Sequence, residues 1–258
     1  MTPNPLLERA ASGTAWREGF KNAAVLGEDD VFVLRSQLNL PPRRIEELAS
    51  TLSKREIERA NRFKFDIHRN RFVVCHGLLR EVLGYLLRVE PFELKFAQGK
   101  QGKPRLSGNL SASDIRFNLS RSEDRFALAV TRARRLGVDI EFIRSNAADP
   151  GVAETHFSKR ELEDLSRLKG VDWEIGFFNC WTRKEAFIKA TGEGLYRPLD
   201  SFDVTLVPGQ PAELRTLDSS PAQARRWKML DLPFEKGYAG AVVAEGRDWK
   251  LTRWQYPS

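Results

Sequence analysis

The chain has 258 residues, 41% hydrophobic and 30% charged, with a net charge of +7 and a pI near 9.5. That is a globular composition with enough length for a substantial core in one or two domains, and it excludes a disordered chain. No apolar run approaches the roughly 18 residues that span a bilayer, and Met-Thr-Pro-Asn-Pro-Leu-Leu-Glu at the N-terminus has no export pattern, so a cytoplasmic protein without membrane contact is expected.

Residues 1–30 carry little signal beyond a short helix, and Val31–Leu34 reads as a first strand, with Pro41-Pro42 closing the next loop. Ser53-Lys-Arg-Glu56 is a capping box that starts a helix carrying Arg55, Arg59 and Arg62. A longer helix is expected over 69–88, its buried stripe made by Phe72, Cys75, Leu79, Val82, Leu83 and Leu86, with Arg69 and Arg80 projecting from it. Cys75 and Cys180 both fall in apolar helical patterns and suit buried, reduced thiols; with His68, His76 and His156 they show no zinc spacing. Leu94–Phe96 reads as a short strand. The loop Gln98-Gly-Lys100-Gln-Gly102-Lys103-Pro104 could cradle a phosphate with glycine N–H groups and lysines, although a plain turn is the commoner structure.

Ile115–Ser122 reads as a strand ending in a polar corner, and Phe126–Val130 and Leu136–Phe142 as paired strands joined by the basic turn 132–135. A second capping box, Ser158-Lys-Arg-Glu161, opens a helix that stops at Lys169-Gly170 and gives Glu161 a structural role. The central helix follows, capped by Asp172, with Phe177, Phe178, Trp181, Ile188 and Thr191 on one side. Strands are expected at 202–206, 226–230, 238–244 and 249–255, with Trp227, Trp249 and Trp254 as packing residues. Helices precede strands in both parts of the chain, which suggests two related α+β halves, 1–133 and 134–258.

Chemistry concentrates at two places. On a strand, Val138, Ile140 and Phe142 face a core while Asp139 and Glu141 share the other side. Glu185 and Lys189 lie one turn apart on the central helix, a spacing that by itself describes a solvated ion pair. Carboxylates held side by side repel unless a cation or proton lies between them. With Glu185 beside Asp139 and Glu141, the three make the oxygen-rich site that Mg²⁺ prefers, with a lysine at hand for phosphate. The positive balance favours an anionic partner. No zinc-finger spacing, aromatic RNA-binding strand or long basic tail points to nucleic acid.

Gly137-Val-Asp139-Ile-Glu141, with Glu185 following inside Trp181-xx-Lys184-Glu185-xxx-Lys189, resembles the signature of the 4′-phosphopantetheinyl transferases, in particular the larger, monomeric surfactin-synthetase-activating type. Gly102-Lys103-Pro104, Phe117-Asn118-Leu119-Ser120, Phe157-Ser158-Lys159-xx-Glu161 and Gly192-xx-Gly194-Leu195 with Pro198-Leu199 agree, in the family's order, across about residues 60–205. The resemblance implies an α+β pseudo-dimer of two similar halves, coenzyme A in the cleft between them, and Mg²⁺-dependent transfer of 4′-phosphopantetheine to a serine of an apo carrier protein, releasing 3′,5′-ADP.

By the same resemblance Asp139, Glu141 and Glu185 ligate Mg²⁺, Glu185 is the general base, and Lys189 stabilises phosphate charge. Lys103, Ser120 and Arg121 hold the phosphates, Gly102, Pro104 and Asn118 belong to the coenzyme A site, and Arg69 is a weaker carry-over. Where the family usually has histidine, this chain has Arg121, which keeps a charged donor fork but cannot shuttle a proton near neutral pH. The implied partners are acidic acyl, peptidyl or aryl carrier domains. Two other readings remain: a degenerate homologue that binds coenzyme A or a carrier without turnover, motivated by Arg121, and a basic nucleic-acid-binding protein.

Overall fold

The computed structural model describes residues 26–99, 102–144 and 147–256; the N-terminal helix expected from the sequence lies outside the described residues. The fold is mixed α+β. β1 (Asp30–Gln37) is followed by α1 (Pro42–Ala49), which starts on the Pro41-Pro42 pair because proline presets a first helical turn. α2 (Lys54–Ala60) has the expected capping box: the Glu56 N–H donates to Ser53 Oγ, and the Ser53 N–H to Glu56 Oε2 at 2.8 Å. α3 (Asp66–Leu87) begins three residues before the expected start and ends on Arg88 in the left-handed region, φ 56°. Of its expected stripe, Phe72, Cys75, Leu79, Val82 and Leu83 are buried, and Leu86, in the last turn, is half-buried.

Arg80 does not project. It is 2% exposed, with Nε on Glu56 Oε2 at 2.9 Å and Nη1 on the carbonyls of Pro91 and Leu94. Arg80 lies two turns from Phe72 on the same face, and Glu56 supplies the counter-charge that allows its burial.

A short hairpin of β2 (Phe96–Gln98) and β3 (Pro104–Leu106) leads to β4 (Ile115–Ser122), β5 (Arg125–Arg132) and β6 (Leu136–Phe142). Three helices follow: α4 (Pro150–His156), α5 (Lys159–Ser166) and α6 (Val171–Thr191). The last part contains β7 (Phe202–Val204), β8 (Leu214–Leu217), α7 (Pro221–Ala224), β9 (Trp227–Asp231), β10 (Tyr238–Glu245) and β11 (Lys250–Gln255). Asp172 is not the cap of α6; Gly170 holds that position, and Asp172 sits in the first turn, where its charge suits the helix dipole.

Four strands form one sheet in the order β11-β1-β5-β4, and three form another in the order β6-β10-β9. β5 and β6 are therefore not a paired hairpin: β5 pairs with β1 and β4, and β6 with β10, so the basic turn carries the chain from one sheet to the other. β11, from the end of the chain, runs parallel to β1, with Asp30 opposite Lys250 and Arg35 opposite Gln255. On β1, Phe32 and Leu34 pack with α3, whereas Val31 and Val33 join Ala127, Ala129, Val138, Ile140 and Val242 in a third cluster. Burial on both faces explains why β1 and β5 read as apolar runs rather than alternating strands. A second core gathers around α6 and includes Phe177, Phe178, Phe187, Phe202 and Trp227. Both cysteines are buried free thiols. Among the described residues no helix is long and apolar enough to cross a membrane.

Candidate functional site

β4 and β6 run side by side in the same direction, but they are edges of different sheets. Side chains of β4 take the place of a backbone ladder. Asn118 Oδ1 accepts from the Val138 N–H at 2.7 Å, Ser120 Oγ from Ile140 at 3.4 Å, and Ser122 Oγ from Phe142 at 3.0 Å. Period-2 alternation puts all three on one edge, so the edge N–H groups of β6 are satisfied without strand pairing. The odd-numbered residues of β6 then carry Asp139 and Glu141.

The helix that brings Glu185 to them can approach because residue 137 is glycine. A Cβ there would lie 2.0 Å from the Ala186 carbonyl oxygen and 2.5 Å from the Ala190 nitrogen. Glycine thus lets the α6 backbone sit directly against β6. Leu119, Ser120, Arg121, Asp139, Glu141, Trp181, Glu185 and Lys189 line one cavity of about 410 Å³. The expected convergence of the carboxylates and Lys189 is therefore observed.

Asp139 is 2% exposed. Its Oδ1 accepts from Lys189 Nζ at 2.6 Å and from Ser120 Oγ at 2.8 Å, whereas Oδ2 is buried with no hydrogen-bond partner. A buried carboxylate oxygen without a donor is costly, and it marks a place where a cation or donor belongs. Burial pushes the Asp139 carboxyl above the usual carboxylate range, with Lys189 opposing. Burial also raises Glu141, opposed by Ser122 and reinforced by repulsion from Asp139. Glu185 is raised by burial and by the charge on Asp139, with Lys189 opposing. Three carboxyls that each resist ionisation around one space form a site in want of positive charge.

The donor set is all oxygen, and with Asp139 Oδ2 free it suits a hard divalent cation. Among the described residues no group of three or more His, Cys, Asp or Glu side chains is already drawn together closely enough to hold a metal ion. The carboxylates border an open cavity, as they would if phosphate oxygens and water completed the coordination.

The remaining expected residues are scattered. Lys103 Nζ is turned inward and donates to the carbonyls of Leu136 at 2.8 Å and Lys189 at 2.6 Å. Burial and the nearby Lys189 push its pKa down to about 8. Lys103 thus ties the hairpin to the ends of β6 and α6, and with Pro104, Phe117 and Gly192 it lines a second cavity of about 360 Å³. Gly102 has φ 77° and lies in a tight turn: its N–H donates to Gly99 O, and the Gly99 N–H to Lys103 O. Lys100 lies outside the described residues. Asn118 is buried and holds β6. Arg121 is exposed on the wall of the carboxylate cavity, and none of the described acidic groups pairs with it. Arg69 pairs with Asp66 at 2.8 Å and borders neither cavity.

Two features were missed in the sequence. Ser122 donates to Glu141 Oε2 at 2.7 Å, and its place two residues beyond Ser120 was the available signal. Lys184 is 0% exposed and pairs with the equally buried Glu161 at 2.7 Å, while also donating to the carbonyls of Leu199 and Phe202. Glu161 is a capping residue, as expected, and is also the anchor of α6.

Residues 135–243 match a family model described as 4′-phosphopantetheinyl transferase superfamily, and residues 41–133 match one described as 4′-phosphopantetheinyl transferase, N-terminal. The 4′-phosphopantetheinyl transferase HetI of Nostoc sp. is 38% identical over 228 residues, covering 88% of this chain and 93% of that protein. The 4′-phosphopantetheinyl transferase Sfp of Bacillus subtilis is 30% identical over 207 residues, covering 79% and 87%. Psf-1 of Bacillus pumilus, with the same description, is 34% identical over 176 residues, covering 68% and 73%.

Proposed function

Since the chain belongs to the 4′-phosphopantetheinyl transferase superfamily and is a transferase of that kind, we propose that it moves 4′-phosphopantetheine from coenzyme A to a serine of an apo carrier protein. The observation that carries this reading is the cavity in which Asp139, Glu141, Glu185 and Lys189 meet, with Asp139 Oδ2 buried and unsatisfied. The serine oxygen forms a bond to the phosphorus bearing the pantetheine arm, the bond from that phosphorus to the bridging oxygen breaks, and 3′,5′-ADP leaves with the bridging oxygen.

Glu185 accepts the serine proton, and its raised pKa brings its basicity closer to the working pH than that of a free carboxylate. Lys189, held against Asp139, lies at the cavity wall to neutralise phosphate charge. Asp139 through Oδ2, Glu141 and Glu185 would hold Mg²⁺. When bound, the ion supplies charge neutralisation on the pyrophosphate. Arg121, without an acidic partner among the described residues, adds a guanidinium to the same wall, suited to a further phosphate.

The second cavity, beyond Lys189 and floored by Lys103 and Phe117, would receive the nucleoside end of coenzyme A. On this reading the coenzyme would lie along a seam between two α+β halves. The net charge of +7 would steer acidic acyl, peptidyl or aryl carrier domains toward the protein. A cytoplasmic monomer fits this reading.

Intact-mass spectrometry of an apo carrier after incubation with the protein, coenzyme A and Mg²⁺ tests it. The expected outcome is a gain of one phosphopantetheine that EDTA abolishes. Unchanged acyl and peptidyl carriers, with coenzyme A still bound, would overturn it.

A further inference from the structure

Three carboxylates line the cavity, but they are held in different ways. Asp139 Oδ1 accepts from Lys189 Nζ and Ser120 Oγ. Among the described residues Glu141 has one hydrogen-bond donor, Ser122, on the neighbouring strand. The Ser122 side chain is 8% exposed. A serine hydroxyl has a single proton and two lone pairs. One lone pair takes the Phe142 N–H at 3.0 Å, which fixes the oxygen against β6, and the proton goes to Glu141 Oε2 at 2.7 Å. Glu141 lines the carboxylate cavity, and Ser122 engages only its Oε2.

From this geometry we propose that Ser122 is the positioning residue for Glu141, holding one oxygen so that the other faces the cation. The inference rests on the metal reading given above. The third alternate residue of β4 therefore does two things at once: it closes the seam between the sheets, and it holds a carboxylate of the cavity in place.

Outer-shell partners of metal-binding carboxylates commonly matter tenfold to hundredfold for metal affinity. The test is Mn²⁺ binding followed by electron paramagnetic resonance, with coenzyme A present, in the parent protein, Ser122→Ala, Ser122→Thr, Glu141→Ala and the double variant Ser122→Ala/Glu141→Ala. Ser122→Ala is expected to weaken Mn²⁺ binding about tenfold. Ser122→Thr, which keeps the hydroxyl, should restore most of it, and the double variant should bind no more weakly than Glu141→Ala alone. A merely structural serine would lower the melting temperature without this dependence on Glu141.

Unchanged Mn²⁺ affinity in folded Ser122→Ala would overturn the proposal, as would the same tenfold loss in the Glu141→Ala background. Should Ser122→Ala fail to fold, Ser122→Cys, a weaker donor of similar shape, carries the same comparison. Coenzyme A binding without any Mn²⁺ binding in the parent protein would instead remove the metal reading, and this proposal with it.

Discussion

Helix α6 carries two lysines, each paired with a buried carboxylate, and the two pairs are built to opposite ends. Lys184 and Lys189 are five positions apart, about 140° round the helix axis, so they face different sides. Lys184 and Glu161 are both 0% exposed, and around them little is left unmet: the lysine also holds two carbonyls, and Glu161 takes the N–H groups of Ser158 and Val204. Lys189 is 28% exposed, and its partner Asp139 keeps one buried oxygen without a donor. The saturated pair fixes where the helix lies. The unsaturated pair has valence left for a ligand. Saturation, more than burial or charge, separates the anchor from the site.

The largest effect should come from breaking the anchor. Lys184→Ala leaves Glu161 buried and unpaired, which costs about 3–5 kcal/mol, read as a fall in the denaturation midpoint. The paired change Glu161→Leu/Lys184→Met should recover part of that loss, because it removes the uncompensated charge but leaves the N–H groups of Ser158 and Val204 and the carbonyls of Leu199 and Phe202 without these partners. Failure of the pair to recover would mean that the ions act through something other than mutual compensation.

Glu185→Gln tests the other side of the comparison. Turnover should fall about 10²-fold or more, while stability near pH 7 should hold or rise. The sign follows from the raised pKa of Glu185. A carboxyl whose folded pKa exceeds its unfolded value of about 4.3 contributes stability below that value and loses it as pH climbs through the folded pKa. The glutamine variant lacks that loss, so its advantage should appear above about pH 4 and vanish below. A folded Glu185→Gln protein with parental turnover would contradict its role as base.

The smallest effect is expected from Arg121→His. Both side chains can carry positive charge on the cavity wall, so turnover at pH 6 should stay within about threefold. Above pH 7 the histidine loses its charge, given an ordinary pKa near 6.5, and the KM for coenzyme A should rise. Identical pH profiles for the two proteins would show that residue 121 does not meet phosphate.

Much of the site was legible because its spacing is local. Alternation put Asp139 and Glu141 on one side of a strand, helical period put Glu185 and Lys189 on one face, and the two capping boxes fell where Ser53 and Ser158 stand. What escaped depends on partners far along the chain. A lysine between glycine and proline looks like a phosphate ligand, yet the direction of the Lys103 ammonium is set by carbonyls 33 and 86 residues away. Strand content was legible, but strand partners were not: an apolar run does not say which edge it will meet, so β5 and β6 read as a hairpin when they belong to different sheets. The tight fit of α6 on β6 at Gly137 was visible only as a glycine before a valine.

The pairing of β11 with β1 also bears on how the protein is made. β1 leaves the ribosome about 220 residues before its parallel neighbour, so one edge of that strand must wait until the intervening stretch has been synthesised. An unpaired strand edge is a template for association with other chains, and pairing over such a separation is slow to form. A vulnerable moment for this molecule therefore comes during translation, and deleting the β11 segment Lys250–Gln255 should promote aggregation of a protein whose carboxylate cavity, built from β4, β6 and α6, is otherwise intact.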